Sequence, residues 1–385
     1  MQLDITGLLH LVEAMPAYRQ LIDELRPPVG GTGVTVLDAA KPYLLAALYK
    51  SLKCPIFVVT ARPENGKKLH EQISTWCNSS QIKLFPEPDA LPYQRIASDT
   101  STELARIQVL SALANIGGDH NESATETLLV IASAPALMQK ITPYTDFIST
   151  CHAIEPGMDI EPFHLLDRWE AMGYRIESTV EMPGTISHRG GIMDIYPPTA
   201  DLPARLEFFG NTVDSIRLFD PVNQRSIMGV SSIVVGPATE LLTPLLSNKL
   251  ELESVVNSSI DLADCTAEAS QQFKQALTML LNKQRPGNMQ FYAPLFNNDS
   301  ILSYLPQDAL LVLDEPLSIK KAMENLDAEA GELRAEKLQG GELPRNFPVP
   351  YFSWKEMEPE IENRRRLMLA SWGSDEQQRR LDFAP

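Results

Sequence analysis

The sequence is poor in basic residues, and it has no long apolar run. Its 385 residues carry 33 Lys and Arg against 50 Asp and Glu, which gives a formal net charge of −17 at pH 7. Proteins that coat nucleic acid need clustered Lys and Arg to neutralise phosphate, so this acidic balance argues against that class. No apolar run approaches the roughly 18 residues of a membrane-spanning helix. The start, Met1–Asp4, has neither the basic nor the apolar region of a secretory signal. We therefore expect a cytoplasmic protein with no membrane contact.

Cysteine is also scarce. The four cysteines are widely spaced, with no CxxC pair and no histidine at ligand spacing, namely Cys54, Cys77, Cys151 and Cys265. This pattern predicts reduced thiols in a cytosolic protein and no zinc or other metal site. His152 follows Cys151, but a nucleophilic pair also needs a group that orients the base. The sequence therefore predicts neither a metal site nor a catalytic residue.

The hydrophobic content of 44% is ordinary, and the length suggests two or three domains of roughly 150 residues each. Apolar strand-like runs alternate with helical patterns in the first part of the chain. The predicted strands are 34–37, 55–60, 82–85 and 128–133, and the predicted helices are 41–52, 63–77 and 104–113. A later run at 310–313 has the same apolar character. Continuous apolar strands between helices predict a parallel α/β sheet that is covered on both faces.

The middle of the chain has a different character. After a predicted helix at 163–172, short strands follow one another with glycine-containing turns between them. These strands are predicted at 175–181, 185–189, 192–196, 204–209 and 213–219. We expect an α/β domain, formed by residues 1–150 and 237–350, that is interrupted by an antiparallel β-rich insert at 151–236. The charged segment 351–385 is predicted to hold a C-terminal helix, over 358–372, and a linker.

The α/β region invites a search for a nucleotide site. A phosphate-binding glycine loop must follow a strand and open a helix, whereas the glycine-rich Gly30–Gly33 precedes the predicted strand. Residues 37–42 occupy the required place and contain no glycine. Lys41 stands where a P-loop lysine would be, but Asp38 would repel an anion, and Pro42 replaces the residue that would hold magnesium. Asp38 is expected instead to cap the following helix.

A second fragment has the form of a Walker B element. The apolar run 310–313 ends in Asp314 and Glu315, where such a strand presents one acid to magnesium and another to a water molecule. A metal-bridged phosphate clamp needs both halves of the site, so we expect no ATP hydrolysis by this chain. The set Asp38, Lys41, Asp314 and Glu315 is thus interpreted as a degenerate nucleotide site in a RecA- or helicase-like domain.

The insert is unusual in its cations. Residues 151–240 contain no lysine and six arginines, which are Arg168, Arg175, Arg189, Arg205, Arg217 and Arg225. The planar guanidinium pairs bidentately with carboxylates and stacks on aromatic rings, so arginine without lysine is typical of a protein-recognition surface.

One strand of the insert combines an arginine with a large ring. With a period of two, Arg205 and Phe209 lie on one face of the strand and Leu206 lies on the other. If Leu206 faces the core, Phe209 is an exposed aromatic residue beside an arginine, a combination typical of binding hot spots. The alternative is that the helix at 163–172 half covers Phe209 and that Arg205 merely solvates the edge. The strand pattern favours neither.

Several segments resemble the bacterial transcription-repair coupling factors. They are Gly184-Thr185-Ile186-Ser187-His188-Arg189-Gly190-Gly191-Ile192-Met193-Asp194-Ile195-Tyr196-Pro197, Ala204–Gly210, Ser215–Asp220 and Gln224-Arg225, together with Leu91-Pro92-Tyr93, Ser98-Asp99 and Arg106. The same β-rich domain occurs in the excision-repair protein UvrB, where it binds UvrA. The resemblance implies that Arg189, Arg205 and Phe209 contact UvrA, with Arg175 and Arg217 as weaker candidates.

Two departures separate the chain from UvrB. UvrB has an intact P-loop and a tyrosine-rich hairpin that grips DNA, whereas 37–42 lacks glycine and the short segment 86–100 has only Tyr93. The resemblance therefore implies a non-catalytic adaptor, without a cofactor of its own, that recruits UvrA to stalled RNA polymerase. It also implies that further domains, missing after residue 385, bind RNA polymerase, DNA, ATP and magnesium and form an ATP-dependent DNA translocase.

Two alternative functions stay open. A UvrB-type excision-repair helicase subunit would bind DNA in a nucleotide-dependent way, and it is favoured by the helicase-like layout and the 310–315 run. A simple DNA-binding module would need a basic surface. The largest basic cluster is Arg364-Arg365-Arg366, which lies in the helix predicted over 358–372 and is expected to form a solvated face.

Overall fold

The structure is a computed structural model that describes residues 6–27, 29–77, 80–96, 99–114, 127–242, 253–254, 260–282, 284, 286–371 and 379–380. Two main sheets organise these residues, one of seven strands and one of six. Strands are numbered β1 to β15 along the chain. The sequence also predicts mainly helix over 241–282; part of this segment lies outside the described residues, and the described helix there is Ala267–Leu281.

The larger sheet is parallel and has the strand order β15-β1-β14-β13-β2-β4-β3. Its strands are β1 Gly30–Thr35, β2 Ile56–Thr60, β3 Ile82–Phe85, β4 Leu129–Ser133, β13 Leu310–Asp314, β14 Arg365–Ala370 and β15 Arg379–Arg380. Every residue of β2 and β4 is buried, as expected for strands that are covered on both faces. The predicted parallel α/β sheet is confirmed.

Helices cover both faces of this sheet. Before the insert they are α1 Leu9–Ala14, α2 Pro16–Glu24, α3 Lys41–Leu52, α4 Pro63–Trp76, α5 Thr100–Leu113, α6 Ala134–Met138 and α7 Tyr144–Thr150. After the insert they are Ala267–Leu281, Met289–Tyr292, Pro316–Gln339 and Trp354–Glu362. Alternate residues of β2 point to different cores: Val58 packs with α1–α4, and Phe57 packs with the later helices. In the described residues no helix is both long and apolar enough to cross a membrane.

The sheet corrects two predictions about local structure. Gly30–Gly33 does not precede the first strand but forms most of β1. The helix predicted over 358–372 ends at Glu362, and Arg365–Ala370 is β14, which lies between β1 and β13. Arg, Leu, Met and Ala all favour helices, so local preference was misleading here. Pairing with a strand on each side overrides that preference.

The same strand corrects the prediction for Arg364-Arg365-Arg366. Arg365 is buried, and its Nη1 donates to the Asp308 carbonyl at 3.3 Å. Arg364 donates to the carbonyls of Leu302 and Leu305. Both guanidinium groups donate to backbone carbonyls inside the domain, so the cluster is not a solvated helix face.

The insert forms the six-stranded sheet, with the order β11-β10-β9-β8-β7-β6. Its strands are β6 Arg175–Ile176, β7 Thr185–Arg189, β8 Ile192–Tyr196, β9 Ala204–Phe209, β10 Thr212–Phe219 and β11 Ser226–Gly229. All pairs are antiparallel except β6 with β7. Gly190 and Gly210 have φ of 60° and 64°, as tight hairpin turns require.

One face of the insert sheet packs on its own core. Helix α8, Pro162–Ala171, buries Leu165 and Trp169 against Ile186, Met193 and Leu206. A two-stranded sheet of β5, His152–Ile154, and β12, Ile233–Val235, lies at the base of the insert. The predicted antiparallel β-rich insert is confirmed. The strand predicted over 175–181 is correct only for Arg175 and Ile176.

A buried ion pair fixes the point where the chain leaves the insert. Arg106 of α5 donates to both carboxylate oxygens of Glu240, at 2.5 and 3.0 Å, and to the carbonyl of Pro86 at 2.6 Å. Its guanidinium also stacks over the Phe85 ring, 4.2 Å from the centroid. Because both charges are almost fully buried and hydrogen bonded, this pair holds the insert in a defined position on the α/β domain.

Candidate functional site

The outer face of the insert sheet brings most of the predicted contact residues together. Strand register sets two rows of cross-strand neighbours on this face. The first row is Arg217, Arg205, Asp194 and Ser187, and the second row is Ser215, Glu207, Ile192 and Arg189. Phe209 follows at the end of β9, paired with Thr212. Residues that lie up to 30 positions apart in the chain therefore share one surface.

Phe209 is the most exposed ring of this surface, with 83% of its area accessible. It is the last residue of β9, directly before the Gly210 turn. Helix α8 packs on the opposite face of the sheet, so the suggestion that it half covers Phe209 is wrong. The exposed Phe163 of α8 contacts His188 instead, with ring centroids 5.1 Å apart.

Arg205 is held rather than freely solvated. Its Nε and Nη2 donate to the two carboxylate oxygens of Asp194 at 2.7 and 2.8 Å, and its guanidinium lies 4.6 Å from the centroid of Phe219. Nη1 donates to the Gln224 carbonyl at 3.3 Å. The hydrogen bond with Asp194 raises the pKa of Arg205. The idea that Arg205 merely solvates the edge is therefore wrong, because this side chain has a fixed orientation.

Arg189 and Arg217 are more exposed. Arg189 donates from Nη2 to the Ser178 carbonyl and, at 3.4 Å, to Thr179 Oγ1. Arg217 lies 3.5 Å from the Glu207 carboxylate and is about half exposed. Both cations are thus tethered at one end while much of each guanidinium faces solvent, which suits contact with an acidic partner surface.

Arg175 does not share this location. It lies on the edge strand β6 and pairs with Thr185, at the opposite end of β7 from Arg189. Thr185 and Arg189 are four residues apart, which is about 13 Å along the strand. Arg175 instead lines a small cavity at the junction with α5, near Glu103 and Leu104.

The outer face is open at one end and closed at the other. Val180, Tyr196 and Phe219 form a buried cluster that covers the end nearer Arg205. We call the uncovered part, made of Arg189, Ile192, Glu207, Phe209 and Arg217, the open face. Sequence reasoning missed Ile192, which is 40% exposed, and the buried carboxylate of Asp194. The positions of Ile192 and Asp194 on this face follow from the strand register, which a single sequence does not give.

The structure also brings together the four residues of the degenerate nucleotide site. Lys41 is the first residue of α3, Asp314 is the last residue of β13, and Glu315 follows it. Strand β14 lies between β1 and β13. Lys41 Nζ lies 2.7 Å from Asp38 Oδ1, 2.6 Å from Asp314 Oδ1 and 2.7 Å from Glu315 Oε1. An ammonium group has three donors, so these three carboxylates account for all of them.

Burial and neighbouring charges shift the pKa values of Lys41 and Asp314. Burial alone would lower the pKa of Lys41, but the carboxylates, above all that of Asp314, raise it well beyond its ordinary value. Burial raises the pKa of Asp314, and the neighbouring acids reinforce this effect while Lys41 opposes it. One cation among three carboxylates leaves a formal charge of −2, which disfavours a phosphate. All three donors of the Lys41 ammonium thus face internal carboxylates in this structure.

Two further contacts define this cluster. The expectation that Asp38 caps the helix is wrong, because Ala40 holds the N-cap position of α3 and the Asp38 carboxylate accepts from Ser371 Oγ as well as from Lys41. Glu315 has a left-handed backbone, with φ of 59°, which is uncommon for a residue other than glycine. Its Oε1 accepts from the backbone N and from Oγ of Ser371, both at 2.7 Å.

The cysteines and histidines suggest no further chemistry. The described residues contain no group of three or more His, Cys, Asp or Glu side chains placed to hold a metal ion. Burial raises the pKa of the Cys151 thiol to about 11, which disfavours the thiolate that a nucleophile requires. His152 accepts a hydrogen bond from Trp169 Nε1 at 3.2 Å and so belongs to the core of the insert.

Comparison with known proteins agrees with this geometry. Residues 153–241 match the family model of the UvrB interaction domain, which coincides with the β-rich insert. The chain is 28% identical over 321 residues to a transcription-repair-coupling factor of Bacillus subtilis, over 81% of this chain and 26% of that protein. A homologue from Myxococcus xanthus is 27% identical over 323 residues, covering 80% and 26%, and one from Escherichia coli is 24% identical over 277 residues, covering 71% and 23%.

The chain thus spans about a quarter of the length of these curated relatives. The match to the UvrB interaction domain and the similarity to coupling factors beyond it confirm the resemblance to a UvrB-like module that the sequence motifs indicated.

Proposed function

We propose that this chain is the UvrA-recruiting module of a transcription-coupled DNA repair factor and that it acts as an adaptor without using ATP. The open face of the insert carries this proposal. It presents an exposed aromatic ring, Phe209, beside the arginines Arg189 and Arg217 within the segment that matches the UvrB interaction domain. Aromatic and arginine side chains are the residues that most often dominate binding energy at protein interfaces.

The form of the open face specifies what a partner must offer. Phe209 would enter an apolar pocket, and the guanidinium groups of Arg189 and Arg217 would meet carboxylates on the partner. Arg205 contributes as a fixed cation at the border of this face, since Asp194 holds its orientation. A surface that is already ordered loses little side-chain entropy on binding.

The remainder of the function concerns the longer protein. By its likeness to the coupling factors, we propose that other domains of that protein bind RNA polymerase and DNA and supply an ATP-driven translocase, while this module recruits UvrA. ATP and magnesium would act in those domains and not in the cluster of Lys41, Asp314 and Glu315, where carboxylates already occupy the lysine.

Titration of UvrA with the whole chain tests the proposed contact. The double variant Arg189→Ala with Phe209→Ala should bind roughly 1,000-fold more weakly than the parent chain, because hot-spot residues contribute about 2 kcal/mol or more each. Phe163→Ala is the matched control, since it removes another exposed ring of the insert that lies outside the open face. Equal affinity of the double variant and the parent chain would refute the proposal.

The adaptor proposal competes with a UvrB-type helicase subunit that binds nucleotide. Because the three donors of the Lys41 ammonium already face carboxylates, this cluster favours the adaptor proposal. Magnesium-ATP at about 100 times its dissociation constant would stabilise a binding protein by about 2.7 kcal/mol. We expect the unfolding midpoint of this chain to be the same with and without millimolar magnesium-ATP, and a clear increase would favour the helicase subunit.

A further inference from the structure

A separate cavity lies at the carboxyl ends of β2, β3 and β4. It has a volume of about 240 Å³, and its walls are mainly proline and aromatic side chains, among them Pro63, Pro88, Pro135, Tyr93, Phe291 and Tyr351. Pro63 begins α4, the helix that follows β2, and Pro135 lies in the first turn of α6 after β4. Open α/β sheets bind ligands in the crevice outside the carboxyl ends of their strands, so the position is that of a ligand site.

The cavity holds two acceptor groups with incomplete partners. Glu87 is the one charged residue among its described lining residues, and no described residue forms an ion pair with it. One of its oxygens accepts from Ser133 Oγ at 3.2 Å. Gln139 also lines the cavity, and its buried Oε1 has no hydrogen-bond partner among the described residues. A buried acceptor without a donor is costly, so a ligand with N–H groups would satisfy Gln139 Oε1 and could also pair with the half-buried carboxylate of Glu87.

The two tyrosines of the cavity contribute rings rather than hydroxyl groups. Tyr93 Oη accepts from Arg334 Nη1 at 3.2 Å, and Tyr351 Oη donates to Asp327 Oδ1 at 2.9 Å. Both hydroxyl groups are thus bound to residues outside the cavity wall. Tyr93 also has a φ of 66°, a backbone conformation that other residues than glycine rarely adopt and that occurs at ligand-holding sites.

We propose that this cavity binds a small aromatic ligand that carries a protonated amidine or amine. The ring packs against the proline and tyrosine walls, and the cationic N–H groups donate to Glu87 and to Gln139 Oε1. A cavity of about 150 Å³ is sufficient for benzene, so 240 Å³ leaves room for a ring with a charged substituent. This site is distinct from the open face and does not depend on UvrA binding.

Benzamidine is a suitable probe, and the whole chain with ¹³C-labelled methionine methyl groups provides the readout. Met138 lines the cavity, whereas Met228 is an exposed residue of β11 in the insert. Benzamidine should shift the Met138 signal in a saturable way and leave Met228 unchanged. Benzoate has the same shape but the opposite charge, and it should bind at least about tenfold more weakly because the carboxylate of Glu87 repels it.

Two variants locate the charge that selects the ligand. Glu87→Gln keeps an acceptor for Ser133 and should weaken benzamidine binding by about tenfold, while Glu155→Gln, at an exposed position of the insert, should leave it unchanged. The signal of Met323, which is buried in the core of the α/β domain and does not line the cavity, shows whether each variant is folded. The proposal is refuted if millimolar benzamidine leaves Met138 unshifted, if benzoate binds equally well, or if Glu87→Gln binds like the parent chain.

Discussion

The insert and the α/β domain each hold a cation against carboxylates, but they do so in different settings. In the insert, Asp194 orients Arg205 at the border of the open face, in which Phe209 is 83% exposed. In the α/β domain, Asp38, Asp314 and Glu315 surround Lys41, whose side chain is only 5% exposed. We propose that the first arrangement presents a surface to a partner. In the second arrangement, carboxylates of the same domain bind all the donors of the lysine, and we expect the cluster to stabilise the fold.

This difference separates recognition from stability. A cation that a single carboxylate holds can still present part of its surface to a partner, whereas an ammonium with three carboxylates has no donor left. We therefore expect substitutions in the Lys41 cluster to change unfolding and substitutions on the open face to change binding.

The largest effect is expected for Lys41→Met. This change leaves three carboxylates close together without their cation, and removal of one partner from a buried ion pair typically costs about 3 kcal/mol or more. Urea unfolding should show this loss in the free energy of unfolding. Lys50→Met, on the exposed face of the same helix, is the control and should change stability by no more than about 0.5 kcal/mol. Similar losses for both variants would show that the Lys41 cluster is not a stabilising network.

A smaller effect is expected for the pair Arg205 and Asp194. A double-mutant cycle with Arg205→Met and Asp194→Asn should give a coupling free energy of about 1 to 2 kcal/mol, because the contact is bidentate and largely buried. The exposed pair Arg217 and Glu207, at 3.5 Å, is the comparison and should couple by about 0.5 kcal/mol or less. Equal coupling in both pairs would contradict the view that Arg205 is specifically fixed.

The smallest effect concerns pH. Although burial raises it, hydrogen bonds from Lys41 and Ser371 bring the pKa of Glu315 below the ordinary value of 4.5, so its stabilising contribution is present above that value and is lost as the pH falls through the lowered pKa. The destabilisation by Glu315→Gln should therefore shrink between pH 7 and pH 3. Because the pKa of Asp314 is raised from 3.8, its contribution has the opposite sign and is lost as the pH rises through the raised value.

Urea unfolding at several pH values measures both contributions. Relative to the parent chain, Asp314→Asn should be less destabilising at pH 7 than at pH 3. Glu315→Gln should be more destabilising at pH 7 than at pH 3. The same pH trend for both variants would contradict the opposite shifts of the two carboxyl groups.

Local patterns in the sequence predicted much of the fold. The helix at 41–52 and the strands 185–189, 192–196 and 204–209 have the predicted bounds, because apolar periodicity and the turns at Gly190 and Gly210 mark them locally. The period of two also placed Arg205 and Phe209 on the same face. Strand β14 could not be predicted in this way, because its pairing with β1 and β13 decides its structure.

The candidate sites show the same limit. The sequence indicated Asp38, Lys41, Asp314 and Glu315 by their positions in two motifs, but it did not reveal that the lysine pairs with all three acids. Likewise, it indicated Arg205 but not its partner Asp194, since strand register depends on the folded sheet. Residue types and local periods can be read from a sequence, whereas pairing between distant segments cannot.

The central claim is that the open face binds a partner while the Lys41 cluster only stabilises the fold. The most direct test is the affinity of UvrA for Phe209→Ala and for Lys41→Met, measured well below the unfolding temperature of both variants. We predict a loss of about 30-fold for Phe209→Ala and an unchanged affinity for Lys41→Met. An unchanged affinity for Phe209→Ala, or an equal loss for the folded Lys41→Met variant, would contradict the claim.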